Sequence, residues 1–258
     1  MPALPIYQDS YRPSSNWVKT VAEKQEVLAK LQPLKNQQKI QTYLFVNQIT
    51  QNLQLEGLEV SFQEVEDLIN QPTPELLSAK IQNLVNAINC INSLLDSSLD
   101  KTKINLTSEL VCQIHALSMF EIDSRAGFYR QTAAKIIAPG HDPCDAIAVS
   151  LLIDNALDWF STDSFRELHP LEQAWLVHLR IIDLQPFEQG NSIIARLMAS
   201  FYAQKAGLCP IIVNHDEQEF YAYALNNALM MITQPGVELF ARSVIRTYDQ
   251  LISLIENT

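Results

Sequence analysis

Apolar residues recur every three to four positions along most of the chain, which is the spacing of one face of an α-helix. The clearest stripe runs from Ile81 through Leu84, Val85 and Ile88 to Leu95 and predicts one long helix. The same period predicts further helices over residues 16–31, 35–53, 106–120, 143–160, 170–184, 191–206, 215–232 and 237–256. We therefore predict an all-α fold.

Capping residues and breakers divide these helices. Ser61-Phe62-Gln63-Glu64 has the form of a capping box and predicts the start of a short helix. Thr73-Pro74 predicts the N-cap and the first residue of the long helix, and Asp142-Pro143 predicts the N-cap and the first residue of the helix over 143–160. Gln234-Pro235-Gly236 predicts a break between the last two helices.

One segment lacks helical spacing. Residues 126–143 combine β-tolerant residues with breakers and predict a short β-hairpin, or flap. Its centre consists of Lys135, Ile136, Ile137 and Ala138.

Composition narrows the classes of protein that fit. The chain has 258 residues, of which 47% are hydrophobic, and this suffices for one large core with a helical extension. A net charge of −11 argues against nucleic acid as a partner. No apolar run reaches about 18 residues, so no membrane span is expected. The N-terminus does not resemble a signal peptide and the four cysteines are scattered, so we expect reduced thiols and a cytoplasmic protein.

The most informative stretch, residues 184–196, reads LQPFEQGNSIIAR. It resembles the motif of the Fic family, H-P-F-x-[D/E]-G-N-G-R-x-x-R, whose members mostly transfer AMP from ATP onto a protein hydroxyl. Five positions match the motif, namely Pro186, Phe187, Gly190, Asn191 and Arg196. Four depart from it, with Gln185 at the histidine, Gln189 at the acid, Ser192 at the second glycine and Ile193 at the first arginine.

The resemblance extends beyond this motif. Ala126 to Arg130 resembles the family segment before the flap, and residues 221–229 resemble a later family helix. Asn52 to Gly57 resembles the inhibitory helix pattern [S/T]-x-x-x-E-[G/N], with Asn52 at the hydroxyl position and Glu56-Gly57 kept. We therefore predict an N-terminal arm and helical extension over residues 1–100, and a Fic-like domain with its C-terminal helices over 101–258.

The resemblance implies a role for each motif position. The family histidine takes the proton of the target hydroxyl, the acid holds Mg²⁺, and the first arginine binds phosphate. The Gln185 amide cannot accept that proton, Gln189 offers Mg²⁺ only a neutral carbonyl, and Ile193 cannot bind phosphate. The sequence thus predicts a degenerate member, deficient in AMP transfer, with Mg²⁺ binding in doubt.

Part of an anion site is retained. Gly190, Asn191 and Ser192 would present backbone N–H groups at a helix start, which suits the phosphates of ATP or another nucleotide. An ordinary helix start explains the same residues equally well. Arg196 and Glu56 match the family pair in which the glutamate competes with ATP. In a chain without the catalytic groups we favour a structural salt bridge for this pair.

Three functions remain open. The first is a pseudoenzyme that binds a nucleotide or a protein. The second is a diverged nucleotidyl or phosphoryl transferase that uses a base from outside the motif, such as His141. The third is an interaction module in which a protein partner, or a second copy of the chain in a homo-oligomer, pairs with the flap edge. His115 and His178 are predicted to be core histidines.

Overall fold

The computed structural model describes residues 15–31, 36–135, 137–138 and 141–256. Its described residues confirm the predicted all-α fold. The helices are α1 Ser15–Leu31, α2 Gln37–Leu55, α3 Phe62–Asn70, α4 Leu76–Asp96, α5 Ser108–Ser118, α6 Val149–Phe160, α7 Asp163–Arg166, α8 Pro170–Leu184, α9 Asn191–Lys205, α10 Gln218–Leu229 and α11 Gln234–Glu256. Short 3-10 turns lie at Lys101–Lys103, Ala146–Ala148 and His215–Glu217.

Helices α8 and α9 form the centre of the core, with α5, α6 and α11 packed around them. Ten of the 15 residues in each central helix are buried, and Trp175 and Phe201 have no exposed surface. The start of α8 is fixed by its cap, where His169 Nδ1 accepts from Leu171 N and Glu172 accepts from His169 N. The long apolar runs in the sequence are therefore helices that are covered on several sides.

Close packing between α8 and α11 depends on Gly236. A Cβ at this position would lie 1.9 Å from the Trp175 ring. The two helices approach this closely only because residue 236 has no side chain.

The N-terminal helices share the core with the rest of the chain. Helix α1 lies along α11, and Gln25 Nε2 donates to Gly207 O at 2.7 Å. Ile49 of α2 and Ile88 of α4 belong to the same buried cluster as Trp175. The division at residue 100 stays a prediction about organisation, since apolar packing continues across it.

The predicted β-hairpin flap is wrong for the described residues. Residues 126–135 and 137–138 contain no strand, while Ile136, Pro139 and Gly140 lie outside the described residues. The backbone groups of this segment bond to side chains instead: Gln131 N and Thr132 N donate to Glu188, and Lys135 O accepts from Gln185. Side chains of the motif loop thus replace the partner strand. Lys135 and Ile137 are exposed and Ala138 is buried.

Several helix starts differ from prediction. Helix α4 begins at Leu76, with Glu75 at the N-cap position. Thr73 is therefore not the N-cap, and its backbone N–H donates to Ser78 Oγ. Asp142-Pro143 starts no helix, and α6 begins only after the turn at 146–148. Gln234-Pro235-Gly236 forms the first turn of α11, since a first turn needs no N–H from proline. Ser61 is confirmed as an N-cap.

Among the described helices, none is both long and apolar enough to cross a membrane.

Candidate functional site

The candidate site is the loop between α8 and α9, and its backbone shape depends on two residues with positive φ. Gln185 ends α8 at φ 40°, and Gly190 precedes α9 at φ 75°. A Cβ on Gly190 would lie 2.7 Å from Met119 Sδ. Glycine at residue 190 suits the positive φ, and a side chain there would also have to displace the Met119 side chain.

Gln185, at the position of the family histidine, faces the flap segment. Its side chain is 7% exposed, and Nε2 donates to Lys135 O at 2.8 Å. Its backbone carbonyl accepts from Arg130 Nε at 2.7 Å. The amide therefore holds the flap segment against the motif loop.

Gln189 and Glu188 have separate environments. Gln189 is exposed, and its backbone carbonyl bonds to His115 Nε2 at 3.0 Å. The Glu188 carboxylate accepts from Thr132 Oγ1 and from the backbone N–H groups of Gln131 and Thr132. These hydrogen bonds, the Thr132 hydroxyl first, lower the pKa of Glu188. The acid nearest to the family's acidic position is thus already bound to the flap segment.

The start of α9 retains the form of an anion site. Asn191 braces the loop, because Oδ1 accepts from Phe187 N and Nδ2 donates to Phe187 O, both at 2.9 Å. No side chain of the described residues caps the N-terminus of α9. The first N–H groups of a helix have no partner within the helix, so those at Asn191, Ser192 and Ile193 can meet a ligand. Ile193 itself packs against the core.

Arg196 is held by two residues of α2. It is 5% exposed, and its Nε donates to Asn52 Oδ1 at 2.8 Å while Nη2 donates to Glu56 Oε1 at 2.7 Å. Asn52 in turn donates to Gln48 O at 2.8 Å. Gly57, at φ 82°, follows the end of α2. The structure thus brings Glu56 and Arg196 together, and it adds Asn52, which fills the hydroxyl position with a second acceptor.

Two neutral residues are coupled to this pair. His178 is fully buried and its Nε2 lies 2.6 Å from Tyr221 Oη. Burial, reinforced by the charge of Arg196, lowers the pKa of His178 to about 3. Burial raises the pKa of Tyr221. Both groups are uncharged near neutral pH, so the charged groups paired here are Arg196 and Glu56.

Two residues that brace the loop were missed as site residues by sequence reasoning. Arg130 donates to the carbonyls of Gln185, Thr132 and Cys144, and it is 3% exposed. His115 stacks on Phe187 with ring centroids 3.7 Å apart. The signal for Arg130 was its place in the segment that resembles the family, whereas His115 gave no signal beyond an apolar helix face.

His115, His178 and His141 each have a partner in the fold. Gly127 N donates to His115 Nδ1 at 2.8 Å, so Nε2 carries the proton of the neutral ring, and burial lowers the pKa of His115. His115 and His178 are buried core histidines, as predicted. His141 is 6% exposed, and its Nε2 lies 2.9 Å from Asp183 O.

Comparisons with known proteins find relatives that include this loop. The model of the Fic/DOC family matches residues 105–203, which include the whole motif loop. Residues 105–203 thus carry a domain of the Fic/DOC family. It is 28% identical over 160 residues to "Protein adenylyltransferase Fic" of Nematostella vectensis, covering 61% of this chain and 37% of that protein. It is 26% identical over 148 residues to the protein of the same name from Drosophila erecta, covering 57% and 30%. The chain spans about a third of the length of these curated relatives.

Solved structures share the fold over nearly the whole chain. Fic-1 of C. elegans (residues 134–508) has a TM-score of 0.83 at 17% identity and covers 94% of this chain and 72% of its own. A Fic-domain signaling protein of Bacteroides thetaiotaomicron has a TM-score of 0.78 at 17% identity and covers 93% and 98%. The chain is therefore a Fic-fold protein related to protein adenylyltransferases.

Proposed function

We propose that this member of the Fic/DOC family is a pseudoenzyme, deficient in AMP transfer, whose anion site is covered by helix α2. The observation that carries the proposal is the position of Arg196, whose guanidinium bonds to both Asn52 and Glu56. A nucleotide phosphate that needs Arg196 must displace Glu56 first.

The chemistry of the loop supports the same reading. An amide has no useful basicity at neutral pH, so Gln185 cannot take the proton of an attacking hydroxyl. Loss of a general base alone typically lowers a rate by about 10²–10⁴. The Gln185 amide is also engaged with Lys135 O, so its place in the loop supports a structural role.

The residues near the acidic position do not fit Mg²⁺. Gln189 offers a neutral amide, and Mg²⁺ favours carboxylate oxygens. Glu188 has a carboxylate, but it accepts hydrogen bonds from Gln131 and Thr132. No group of three or more His, Cys, Asp or Glu side chains in the described part of the chain could hold a metal ion. Ile193 removes the phosphate contact that the family arginine supplies.

A nucleotide site can persist without catalysis. The free N–H groups at the start of α9 and the guanidinium of Arg196 both favour phosphate. Wild-type affinity for ATP should be low because Glu56 occupies Arg196, and Glu56→Gly should raise it. Calorimetric titration with ATP, with and without Mg²⁺, tests this, and Glu56→Gly/Arg196→Ala should abolish the gain.

Labelling with ATP tests the loss of catalysis. Four proteins are compared: wild type, Glu56→Gly, a restored motif, and the restored motif with Glu56→Gly. The restored motif carries Gln185→His, Gln189→Asp, Ser192→Gly and Ile193→Arg. We expect transfer of labelled AMP, to the protein itself or to an added protein, only after restoration and most strongly with Glu56→Gly. Robust transfer by Glu56→Gly alone would contradict the proposal.

A second candidate is an interaction module at the flap segment. Lys135 and Ile137 are exposed while the segment is tied to the motif loop through Gln185 and Glu188. A protein partner or a second copy that binds there should be lost in Lys135→Glu/Ile137→Asp, measured by pull-down and light scattering. A diverged transferase that uses His141 is less well supported, because its Nε2 is engaged with Asp183 O.

A further inference from the structure

A cavity lies on the side of the N-terminal helices, away from the motif loop. It has a volume of about 750 Å³ and opens between α2, α3 and α4, with the end of α9 closing one side. No residue of the motif loop, 184–196, lines it. We call it the amide groove, after the carboxamide side chains that line it, namely Gln41, Gln48, Asn70, Asn89, Asn92 and Gln204. Its volume is in the range of ligand sites, about 300–1,000 Å³.

The buried amide of Gln48 is the feature that points to a ligand. Gln48 lines the amide groove and is only 4% exposed. Its backbone carbonyl accepts from Asn52, but no described residue is hydrogen-bonded to its side-chain amide. Neither amide atom belongs to the fully buried polar atoms that lack a partner, so the amide opens on the groove, where water or a ligand can bind it. A ligand with both a donor and an acceptor would satisfy it.

Carboxamide side chains lie on both sides of the groove. Gln41 and Gln48 lie two turns apart on one face of α2, and Asn89 and Asn92 lie on the facing side of α4. Leu44, Phe45 and Ile69 are only partly buried and supply apolar surface in the groove. The groove therefore offers apolar surface flanked by rows of paired donors and acceptors.

The charge of the lining disfavours anions. Its charged residues are Glu66, Asp96 and Lys101, and Lys101 pairs with Asp96 at 3.5 Å. Glu66 forms no ion pair within the described residues, so the lining carries one net negative charge. The whole chain carries −11. Nucleotides and other phosphate ligands are disfavoured here, unlike at the start of α9.

We propose that the amide groove binds a short, extended peptide segment that is neutral or basic. A carboxamide presents an N–H donor beside a C=O acceptor, which complements the peptide group. Gln41 and Gln48 are about 10 Å apart along α2, which matches about three residues of extended chain. Apolar side chains of the peptide would cover Phe45 and Ile69. The inference is independent of the proposed function.

The first test needs no ligand. Gln48→Leu keeps the size of the side chain and removes its amide; since no described residue is hydrogen-bonded to that amide, the Tm of the free protein should not fall. Gln38→Leu is the matched control, since Gln38 is exposed on the same helix and outside the groove. A lower Tm for Gln48→Leu would show that the fold uses the amide and would overturn the proposal.

The second test measures binding. Acetylated and amidated six-residue peptides are immobilised in two pools, one free of acidic residues and one containing Asp or Glu, and probed with the full chain. We expect retention by the first pool, a shift of the Gln48 side-chain NH₂ signal on titration of a retained peptide, and at least tenfold weaker binding by Gln48→Leu. Gln38→Leu should bind as wild type does.

Several outcomes would overturn the inference. These are no retention at millimolar peptide, preference for the acidic pool, signal shifts confined to Lys135 and Ile137, or a response of the groove to adenosine but to no peptide. The AMP-transfer results would be unaffected, because the Gln48 side chain does not contact Arg196 and the Gln48 carbonyl that binds Asn52 is kept.

Discussion

Replacing Arg196 should cost this fold much of its stability. Arg196 joins α9 to α2 through two charge-assisted hydrogen bonds, to Asn52 Oδ1 and Glu56 Oε1. Arg196 and Asn52 are 5% and 6% exposed. Water cannot readily replace the lost partner, so removal of the guanidinium leaves the Asn52 oxygen buried and unpaired.

The magnitude follows from these contacts. A hydrogen bond to a charged group contributes about 1.5–3 kcal/mol, and a buried acceptor left unpaired costs about 1–3 kcal/mol. The Glu56 side chain is 34% exposed, so its share is discounted to about 1 kcal/mol. We expect Arg196→Met to lower the free energy of unfolding by about 3–5 kcal/mol. Asn52→Ala should cost about 1–3 kcal/mol, and Glu56→Gln the least.

Urea and thermal unfolding measure this order. For a chain of this size, about 3–5 kcal/mol corresponds to a fall in Tm on the order of 10 °C. Arg166→Met is the control, because Arg166 pairs with Asp163 at 3.5 Å on the surface and should change stability by about 0.5 kcal/mol or less. If Arg196→Met matched this control, Arg196 would not join the two helices and the structural reading of the Glu56 pair would be wrong.

Two further predictions concern the loop. The pKa of Glu188 is lowered from 4.5, so its hydrogen bonds should persist above that pH and be lost as pH falls through the lower folded value. Hydrogen exchange at the amides of residues 131 and 132 should then lose protection, and Glu188→Gln should remove the pH dependence; equal protection at all pH values would contradict this. Gly190→Ala should lower the free energy of unfolding by about 1–3 kcal/mol, since it combines φ 75° with a contact at Met119. Adding Met119→Ala should reduce this loss, because it removes the contact. A Gly190→Ala variant with unchanged thermal unfolding would refute the argument.

Local sequence carried most of the helical architecture. The stripe from Ile81 to Leu95 lies inside α4, and α8 covers residues 170–184 as predicted. These features depend on side-chain periodicity and on caps, which act within one or two turns. The predicted start of α6 at residue 143 is wrong, because the 3-10 turn at Ala146–Ala148 precedes the helix.

The flap shows where local reasoning ends. Residues 126–138 have residues that tolerate a strand, yet their backbone groups bond to Gln185, Glu188 and Arg130. Gln185 and Glu188 lie 50 and 57 residues away in the chain from Lys135 and Gln131, to which they bond, so no window of sequence contains both sides of these contacts. Only packing of the loop against the segment decides that no strand forms in its described residues.

The sequence by itself determined the helical class, the motif and the chemical groups missing from it, because residue type fixes whether a side chain can take a proton or bind phosphate. Tertiary structure alone decided what those groups do now. It directs Arg196 to Asn52 and Glu56, and it leaves the Gln48 amide without a described partner in a groove. Such contacts join residues separated by more than a hundred positions or depend on an empty volume, and neither distance nor volume is encoded in a local pattern.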